Sequence, residues 1–364
     1  ESETLEAIMP IFESKTVVIT GGTGSLGKTV VRRILSGERG TPKKVIVFSR
    51  DEAKQHFMRM SYLHNLFATD EVIYRNFMNI LEFRIGDVRS YADIRSVLSR
   101  ADIVINAAAL KQVPTCEYFP EQALTTNCLG AANVVRAIAE NDYPVETVVG
   151  VSTDKACKPV NVMGMTKAIQ ERIFTSANIL NPSTRFICVR YGNVLASRGS
   201  VIPLFHDQIR SGGPVTVTVP EMTRFLLSLD QAVDTVFEAI RSARAGETYI
   251  PRAPSSTMLD LATALIGPRE IGIEIIGIRP GEKLHEILVS EEEAHHCVDR
   301  GSYYAILPML PELLEPNARE PNALTKEFSS GDVVLDLEGT VALLRKNRLT
   351  VEDVELNQDE ELLR

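Results

Sequence analysis

The feature that most constrains this chain is a regular alternation of short β-branched runs with helix-length segments. Six runs stand at residues 16–19, 44–48, 81–85, 102–106, 146–151 and 186–190, each rich in Val and Ile. Segments such as 26–36 and 122–140 separate them and carry helical patterns. Short apolar runs without polar alternation suit strands buried on both faces, and parallel neighbours need a helix-sized crossover between them. The rhythm predicts an α/β fold, a doubly wound parallel sheet over residues 1–195. Beyond it the pattern loosens. Residues 215–218 and 248–250 read as strand, 230–242 as helix and 279–283 as loop. A smaller C-terminal lobe is expected over 196–300, partly returning to the sheet, with an extension over 301–364.

The composition narrows the partners. The chain has 364 residues, 44% hydrophobic, with 39 basic against 48 acidic side chains and a net charge of −9. This balance supports a sizeable core and argues against a disordered chain. No apolar run reaches the roughly 20 residues a membrane span needs, so none is expected here. No basic stretch offers a footprint for nucleic acid. Cys116, Cys128, Cys157, Cys188 and Cys297 are odd in number and form no CxxC pair. They read as free thiols in a reducing, cytoplasmic setting. The chain opens on Glu1 with no signal-peptide core after it, as a trimmed or tagged start would.

Directly after the first run stands Thr20-Gly21-Gly22-Thr23-Gly24-Ser25-Leu26-Gly27, opening a helical segment. Gly21, Gly24 and Gly27 permit a tight turn, close approach of backbone to a pyrophosphate and close helix–strand packing. The helix start adds unpaired N–H groups. Lying between strand and helix, the loop predicts a dinucleotide cradle. The second run ends in Phe48-Ser49-Arg50-Asp51. Ser49, Arg50 and Lys54 suit a 2′-phosphate, so NADP is the expected cofactor, with Asp51 keeping NAD open. Asp87 and Val88 are placed for the adenine edge. Small residues Ala107, Ala108 and Ala109 let a cofactor lie against backbone.

The fifth run continues into Ser152-Thr153-Asp154-Lys155-Ala156, at the strand end where ligands of open α/β sheets bind. Met163-Gly164-Met165-Thr166-Lys167 follows, with Met163 and Lys167 four apart and so on one helix face.

These motifs resemble the extended short-chain dehydrogenase/reductases, with their Rossmann-like sheet. More narrowly, Ser152-Thr153-Asp154-Lys155-Ala156 is similar to the nucleotide-sugar 4,6-dehydratases of bacterial polysaccharide biosynthesis. So are Leu110-Lys111-Gln112-Val113-Pro114, Arg190-Tyr191-Gly192-Asn193-Val194, the run from Ser197 to Pro203, Met222-Thr223-Arg224-Phe225, and Arg279-Pro280-Gly281-Glu282-Lys283-Leu284-His285-Glu286. Soluble UDP-N-acetylglucosamine 4,6-dehydratases, including capsule enzymes that also invert C5, show the most similar pattern. The resemblance spans about residues 15 to 300. It implies oxidation at C4, loss of water across C5 and C6, and return of the hydride to C6.

On that reading Asp154 is the general acid at C6, Lys155 the base at C5, and Thr153 a partner of the C4 oxygen. These roles call for a protonated Asp154 and a neutral Lys155, which burial and a neighbouring Lys167 favour. Lys167 is also expected to hold the nicotinamide ribose. The chain departs from the wider pattern at Met163, where Tyr is usual, because a thioether cannot take a hydroxyl proton. Gln112, where His is common, is a smaller departure.

For a UDP-N-acetylhexosamine substrate, Arg198 and Arg279 are the expected pyrophosphate clamps. Glu282 is placed for a ribose hydroxyl and the backbone around Val217 for uracil. Lys111, Asn193, Ser200 and Arg224 complete the candidates. His295-His296-Cys297 lacks further ligands at matching spacing, so no metal is expected. His206 and His285 read as structural. A homo-oligomer is expected, the helix at 122–140 being either buried on the sheet or paired with a second copy. Two other functions fit the same scaffold: a UDP-sugar 4-epimerase or reductase, and a non-enzymatic NADP-binding sensor.

Overall fold

A computed structural model describes residues 9–63, 71–195, 200–278, 281–314 and 320–355. All six predicted runs are strands. In chain order they are β1 (Thr16–Thr20), β2 (Lys44–Ser49), β3 (Leu81–Ile85), β4 (Ile103–Asn106), β5 (Thr147–Thr153) and β6 (Arg185–Tyr191). Between them lie α1 (Ser25–Leu35), α2 (Glu52–Leu63), α3 (Glu71–Ile80) and α4 (Tyr91–Leu98). After β4 come α5 (Val113–Tyr118), α6 (Pro120–Ala123) and α7 (Gly130–Asn141), and after β5 comes α8 (Val162–Leu180). The expected helix at 122–140 is present as one unbroken helical run, with a π turn at Leu124–Leu129 between α6 and α7.

The downstream chain forms α9 (Val201–Arg210), β7 (Val215–Val217), β8 (Thr223–Phe225), α10 (Leu229–Ser242), β9 (Thr248–Pro251) and β10 (Ser255–Thr257). Then follow α11 (Met258–Ile266), β11 (Ile273–Ile275), β12 (Ile287–Val289), α12 (Glu291–Ala294), β13 (Cys297–Arg300) and β14 (Tyr303–Ile306). β15 (Phe328–Ser329) and α13 (Leu337–Lys346) come last among the elements used below.

The central sheet has nine strands in the order β13-β14-β9-β6-β5-β4-β1-β2-β3. β1 to β6 and β9 run parallel to their neighbours, while β14 and β13 add an antiparallel edge. The sheet therefore draws chain from both sides of residues 195 and 300. Alternate strand residues face opposite layers. Val17 and Ile19 pack with Val30 and Ile34 of α1 and Val236 and Phe237 of α10. Val18, Val104 and Val148 pack with Ile94 of α4, Val134 of α7 and Phe174 of α8. A separate core of Phe205, Val215, Leu261 and Leu344 makes the lobe, so the C-terminal α13 is part of it. The carboxyl ends of β1 to β6 all open on one edge. That edge carries the glycine loop after β1, the segment at 49–51 after β2, the segment at 107–109 after β4 and the turn with Asp154 and Lys155 after β5.

Candidate active site

The glycine loop is shaped for close approach. Gly21 sits at φ +68, and a Cβ there would lie 2.8 Å from the backbone of Ala108. Only glycine fits both demands. Gly24 precedes α1 without any side-chain cap, so the first N–H groups of that helix keep their capacity to bind an anion. Gly27 lies buried in the first turn of α1, Thr23 is buried in the loop, and Ser25 and Leu26 begin the helix. Thr20 Oγ1 donates to Asn106 Oδ1 at 2.8 Å, and Ala108 N–H donates to Thr20 Oγ1 at 3.3 Å. The Ala107, Ala108 and Ala109 segment is thereby pinned beside the loop. These residues fit the pyrophosphate of a dinucleotide.

Of the groups expected to select NADP, two are already engaged. Ser49 Oγ accepts from Gln55 at 3.1 Å, and Lys54 pairs with Asp51 at 2.9 Å. Arg50 differs: its side chain is 58% exposed and approaches the Asp87 carboxylate only at 4.0 Å. Asp87 is held chiefly by Arg89, whose hydrogen bonds keep its carboxyl below the usual range. Val88 is buried, and its carbonyl accepts from Asn133 Nδ2 at 2.9 Å. Its side chain is a packing group in the core layer with Ile94 and Val134.

The chemical cluster lies at the end of β5, where Thr153 caps a 3₁₀ turn Asp154–Ala156 and three polar side chains, Thr153, Asp154 and Lys155, stand in a row. Asp154 is fully buried. Its Oδ1 accepts from Thr153 Oγ1 at 2.8 Å and from Lys155 Nζ at 3.1 Å. Its Oδ2 has no partner among the described residues. Lys155 Nζ also lies 3.3 Å from Glu286 Oε1, and Arg224 Nε meets that oxygen at 3.6 Å.

The expectation of a neutral Lys155 is overturned. Burial alone would push its ammonium down, but the Asp154 and Glu286 carboxylates override burial and hold it above its ordinary value. The cation facing it is Arg224, not Lys167. Lys167 is buried and donates to Val151 O at 2.5 Å and Gln170 Oε1 at 2.7 Å. Burial pushes it down to about 8.

Gly164 explains how α8 reaches this turn. A Cβ there would lie 2.1 Å from the Lys155 carbonyl oxygen, so only glycine lets the helix abut it. Asn161 caps the helix, accepting from Gly164 N–H at 2.8 Å. Met163 is 5% exposed and packs against Cys116 and Ala123, an apolar site with no proton chemistry. The π turn widens the helix at Asn127, whose amide bridges both backbone groups of Leu110 at 2.9 and 3.0 Å and reaches Thr166 Oγ1 at 2.9 Å. π turns often mark functional sites, and here the turn locks the β4 loop to α8.

On the substrate side, Asn193 Oδ1 and Ser200 Oγ are buried without a partner among the described residues. Such groups ordinarily find one. Lys111 is exposed on the loop after β4 and Glu282 is half-buried before β12. Arg224 is 8% exposed and turned to Glu286, Thr223 O and Leu284 O, which makes it a member of the Lys155 cluster. The backbone near Val217 is committed elsewhere: its carbonyl accepts from Ile276 N–H, and that of Thr218 from Gly277 N–H. Arg198 and Arg279 lie outside the described residues.

Cys157, beside the cluster, is a poor nucleophile. It is buried against Glu293, and burial pushes its thiol up to about 12. Cys297 is enclosed in β13 while His296 is exposed, so that run does not converge. Sequence reading missed Glu286 and Asn127. Glu286 stood in a quoted motif, yet only the fold brings it to Lys155. Asn127 had no distinct signal, since Thr125, Thr126 and Asn133 are equally polar residues of the same helical stretch.

Residues 17–308 match the family described as polysaccharide biosynthesis protein. A UDP-glucose 4-epimerase from Rickettsia typhi is 45% identical over 301 residues, covering 81% of this chain and 84% of that protein. The structure of Pen from Bacillus thuringiensis superposes with a TM-score of 0.81 at 34% identity, covering 93% of this chain and 99% of that one. A dTDP-glucose 4,6-dehydratase from Streptomyces venezuelae, solved with NAD, has a TM-score of 0.62 at 19% identity over 74% of this chain and 86% of its own, and so shares the fold. A match running from the first strand into the far edge of the central sheet, at identities fold alone does not produce, makes this chain a member of the polysaccharide biosynthesis protein family.

Proposed function

We propose that this chain is an NADP-dependent 4,6-dehydratase acting on a UDP-N-acetylhexosamine, UDP-N-acetylglucosamine being the preferred substrate. The product is a 4-keto-6-deoxy sugar nucleotide for surface glycan synthesis. The observation that carries this reading is the contact of Asp154 Oδ1 and Lys155 Nζ at 3.1 Å, at the carboxyl end of β5. Water is lost from C5 and C6 only once C4 is a ketone, because C5–H is not otherwise acidic. When bound at the Gly21 cradle and Arg50, NADP supplies the hydride acceptor and later the donor, so net redox is zero.

The residues divide the proton work. Asp154, accepting from two donors as a carboxylate does, takes the C4 hydroxyl proton that Met163 cannot take. It then gives that proton to the departing C6 hydroxyl. Lys155 removes the C5 proton and returns it after C6 is reduced; the face of return decides whether C5 inverts. Thr153 leaves Asp154 to meet the C4 oxygen. Lys167 orients the nicotinamide ribose. Copies of the chain are proposed to pair through the exposed apolar side chains Leu124, Leu129, Met165 and Ile169. An Ile169→Glu chain that sediments like the wild type would refute that pairing.

A second reading has its own support, since the Rickettsia relatives carry the name UDP-glucose 4-epimerase. An epimerase returns hydride to C4 and needs no acid at C6. Incubation with UDP-N-acetylglucosamine in D2O, read by NMR, separates the two. A dehydratase gives a C4 ketone, a C6 methyl group and deuterium at C5. A C4 epimer without ketone or C5 label overturns the proposal.

A further inference from the structure

We propose that the C-terminal stretch completes the active site, with Ser330 as the positioning residue that fixes the Glu286 carboxylate and the Arg224 guanidinium around Lys155. The inference deepens the dehydratase reading, since it rests on Lys155 standing among the reacting groups.

The placement begins with a strand pair. β15 runs antiparallel to β12 with Ser329 opposite Ile287, so the next residues outward, Ser330 and Glu286, are brought face to face. Glu286 N–H donates to Ser330 Oγ at 2.9 Å, and Ser330 N–H donates to Glu286 O at 2.8 Å. The same hydroxyl reaches β8, lying 2.6 Å from Thr223 Oγ1 and 3.2 Å from the Thr223 carbonyl oxygen. Ser330 O accepts from Ser255 Oγ at 2.5 Å, on β10, the partner strand of β8. Ser330 and Ser255 are fully buried, which shields these bonds from solvent.

The side chains that meet at Lys155 stand on the two backbones this hydroxyl joins. Glu286 Oε1 lies 3.3 Å from Lys155 Nζ, and Arg224, next to Thr223, brings Nε to 3.6 Å from that oxygen. The charged groups facing Lys155 are Asp154, Glu286 and Arg224. Lys283 turns away to the Cys157 carbonyl, and His285 pairs with the Thr223 hydroxyl. Glu286 therefore steadies the Lys155 ammonium of the resting site, and Ser330 decides how firmly. Attraction between opposite charges falls with distance, so a loosened Glu286 lets Lys155 give up its proton more readily. The hydroxyl of Ser330 bonds Glu286 and Thr223 and acts on Lys155 only through them.

The test is acetylation by acetic anhydride at pH 8 of the full chain with NADP added. Mass spectrometry compares Lys155 with exposed lysines of the same molecule, and only the free amine reacts. Glu286→Gln removes the charge and should raise the relative labelling of Lys155 about tenfold or more. Ser330→Ala removes the acceptor of the Glu286 N–H and the bridge to Thr223, and should raise it about three- to tenfold. In a Glu286→Gln background Ser330→Ala should add little, because the charge it positions is already gone. The pH at which kcat stops climbing should move down in step, with KM little changed. Unchanged labelling in either single variant overturns the proposal. So does an equal rise from Ser330→Ala with and without the Glu286 charge, which mere opening of the site would give. Should Ser330→Ala not fold, Ser330→Cys carries the test, since a thiol of similar size is a weaker acceptor. Labelling and a kcat profile equal to wild type would then refute the clamp. A wild type that makes no 4-keto product sinks the dehydratase reading itself, on which the labelling of Lys155 does not depend.

Discussion

Replacing Arg190 with Met is the sharpest test of how the fold holds the catalytic turn. Arg190 stands near the end of β6, with its side chain 3% exposed between two carboxylates. It donates to Glu171 through Nε at 3.0 Å and Nη2 at 2.7 Å, and to Glu293 through Nη1 at 2.8 Å and Nη2 at 2.9 Å. A fifth bond reaches Leu288 O in β12 at 2.8 Å. Glu171 in turn accepts from Ser152 Oγ at 2.5 Å, two residues before Asp154. Burial alone would raise the Glu293 carboxyl, yet the adjacent guanidinium holds it at about 2. Holding it there, against an ordinary value of 4.5, corresponds to about 3 kcal/mol at neutral pH. That agrees with the roughly 3–5 kcal/mol lost when one partner of a buried ion pair is removed.

The pH dependence has a definite sign. The folded value lies below the unfolded one, so this stabilisation is complete above about 4.5 and fades as pH falls toward 2. Arg190→Met should therefore lose most at neutral pH and lose less near pH 4, as the stranded carboxylates protonate. Urea unfolding at both pH values measures it. A loss under about 1 kcal/mol, or one equal at both pH values, would refute the reasoning. Replacing Arg190, Glu171 and Glu293 together by apolar residues should cost far less than Arg190→Met alone.

Three further outcomes follow from close approaches and charge. In Gly164→Ala the new Cβ lies 2.1 Å from the Lys155 carbonyl oxygen, so kcat should drop about 10²-fold or more with helix content unchanged by circular dichroism. Gly21→Ala meets both φ +68 and the Ala108 backbone. Calorimetric titration should show NADP affinity reduced about tenfold or more, and an unaltered affinity would remove the loop from the cofactor site. Arg50→Ala should weaken NADP about 10- to 100-fold while leaving NAD alone, as loss of one charged hydrogen bond predicts; equal effects on both cofactors would show that Arg50 does not read the 2′-phosphate.

Much of this protein is legible in order along the chain. Each strand from 16 to 190 is visible because burial on both faces demands continuous Val and Ile. The loop from Thr20 to Gly27 is visible because its glycines sit between a strand and a helix. Asp154 and Lys155 are visible because polar residues at a strand end have few other reasons to cluster. These are local demands, written over a few consecutive residues.

What the sequence left undecided depends on which side chains the fold brings into contact. Lys155 looks like a lysine that burial should neutralise, until the loop before β12 adds the Glu286 carboxylate to that of Asp154 against it. Ser49 and Lys54 stand where expected, but only the fold shows that Gln55 donates to the one and Asp51 pairs with the other. The helix at 122–140 is legible, but not its π turn, which sets Asn127 against Leu110 and Thr166. Composition and spacing by themselves determined the layered sheet, the glycine loop between its first strand and helix, and the chemical types at the end of β5. Only the tertiary structure decided which of those charges are paired, because proton affinity depends on neighbours a few ångströms away that stand a hundred or more residues apart in the chain.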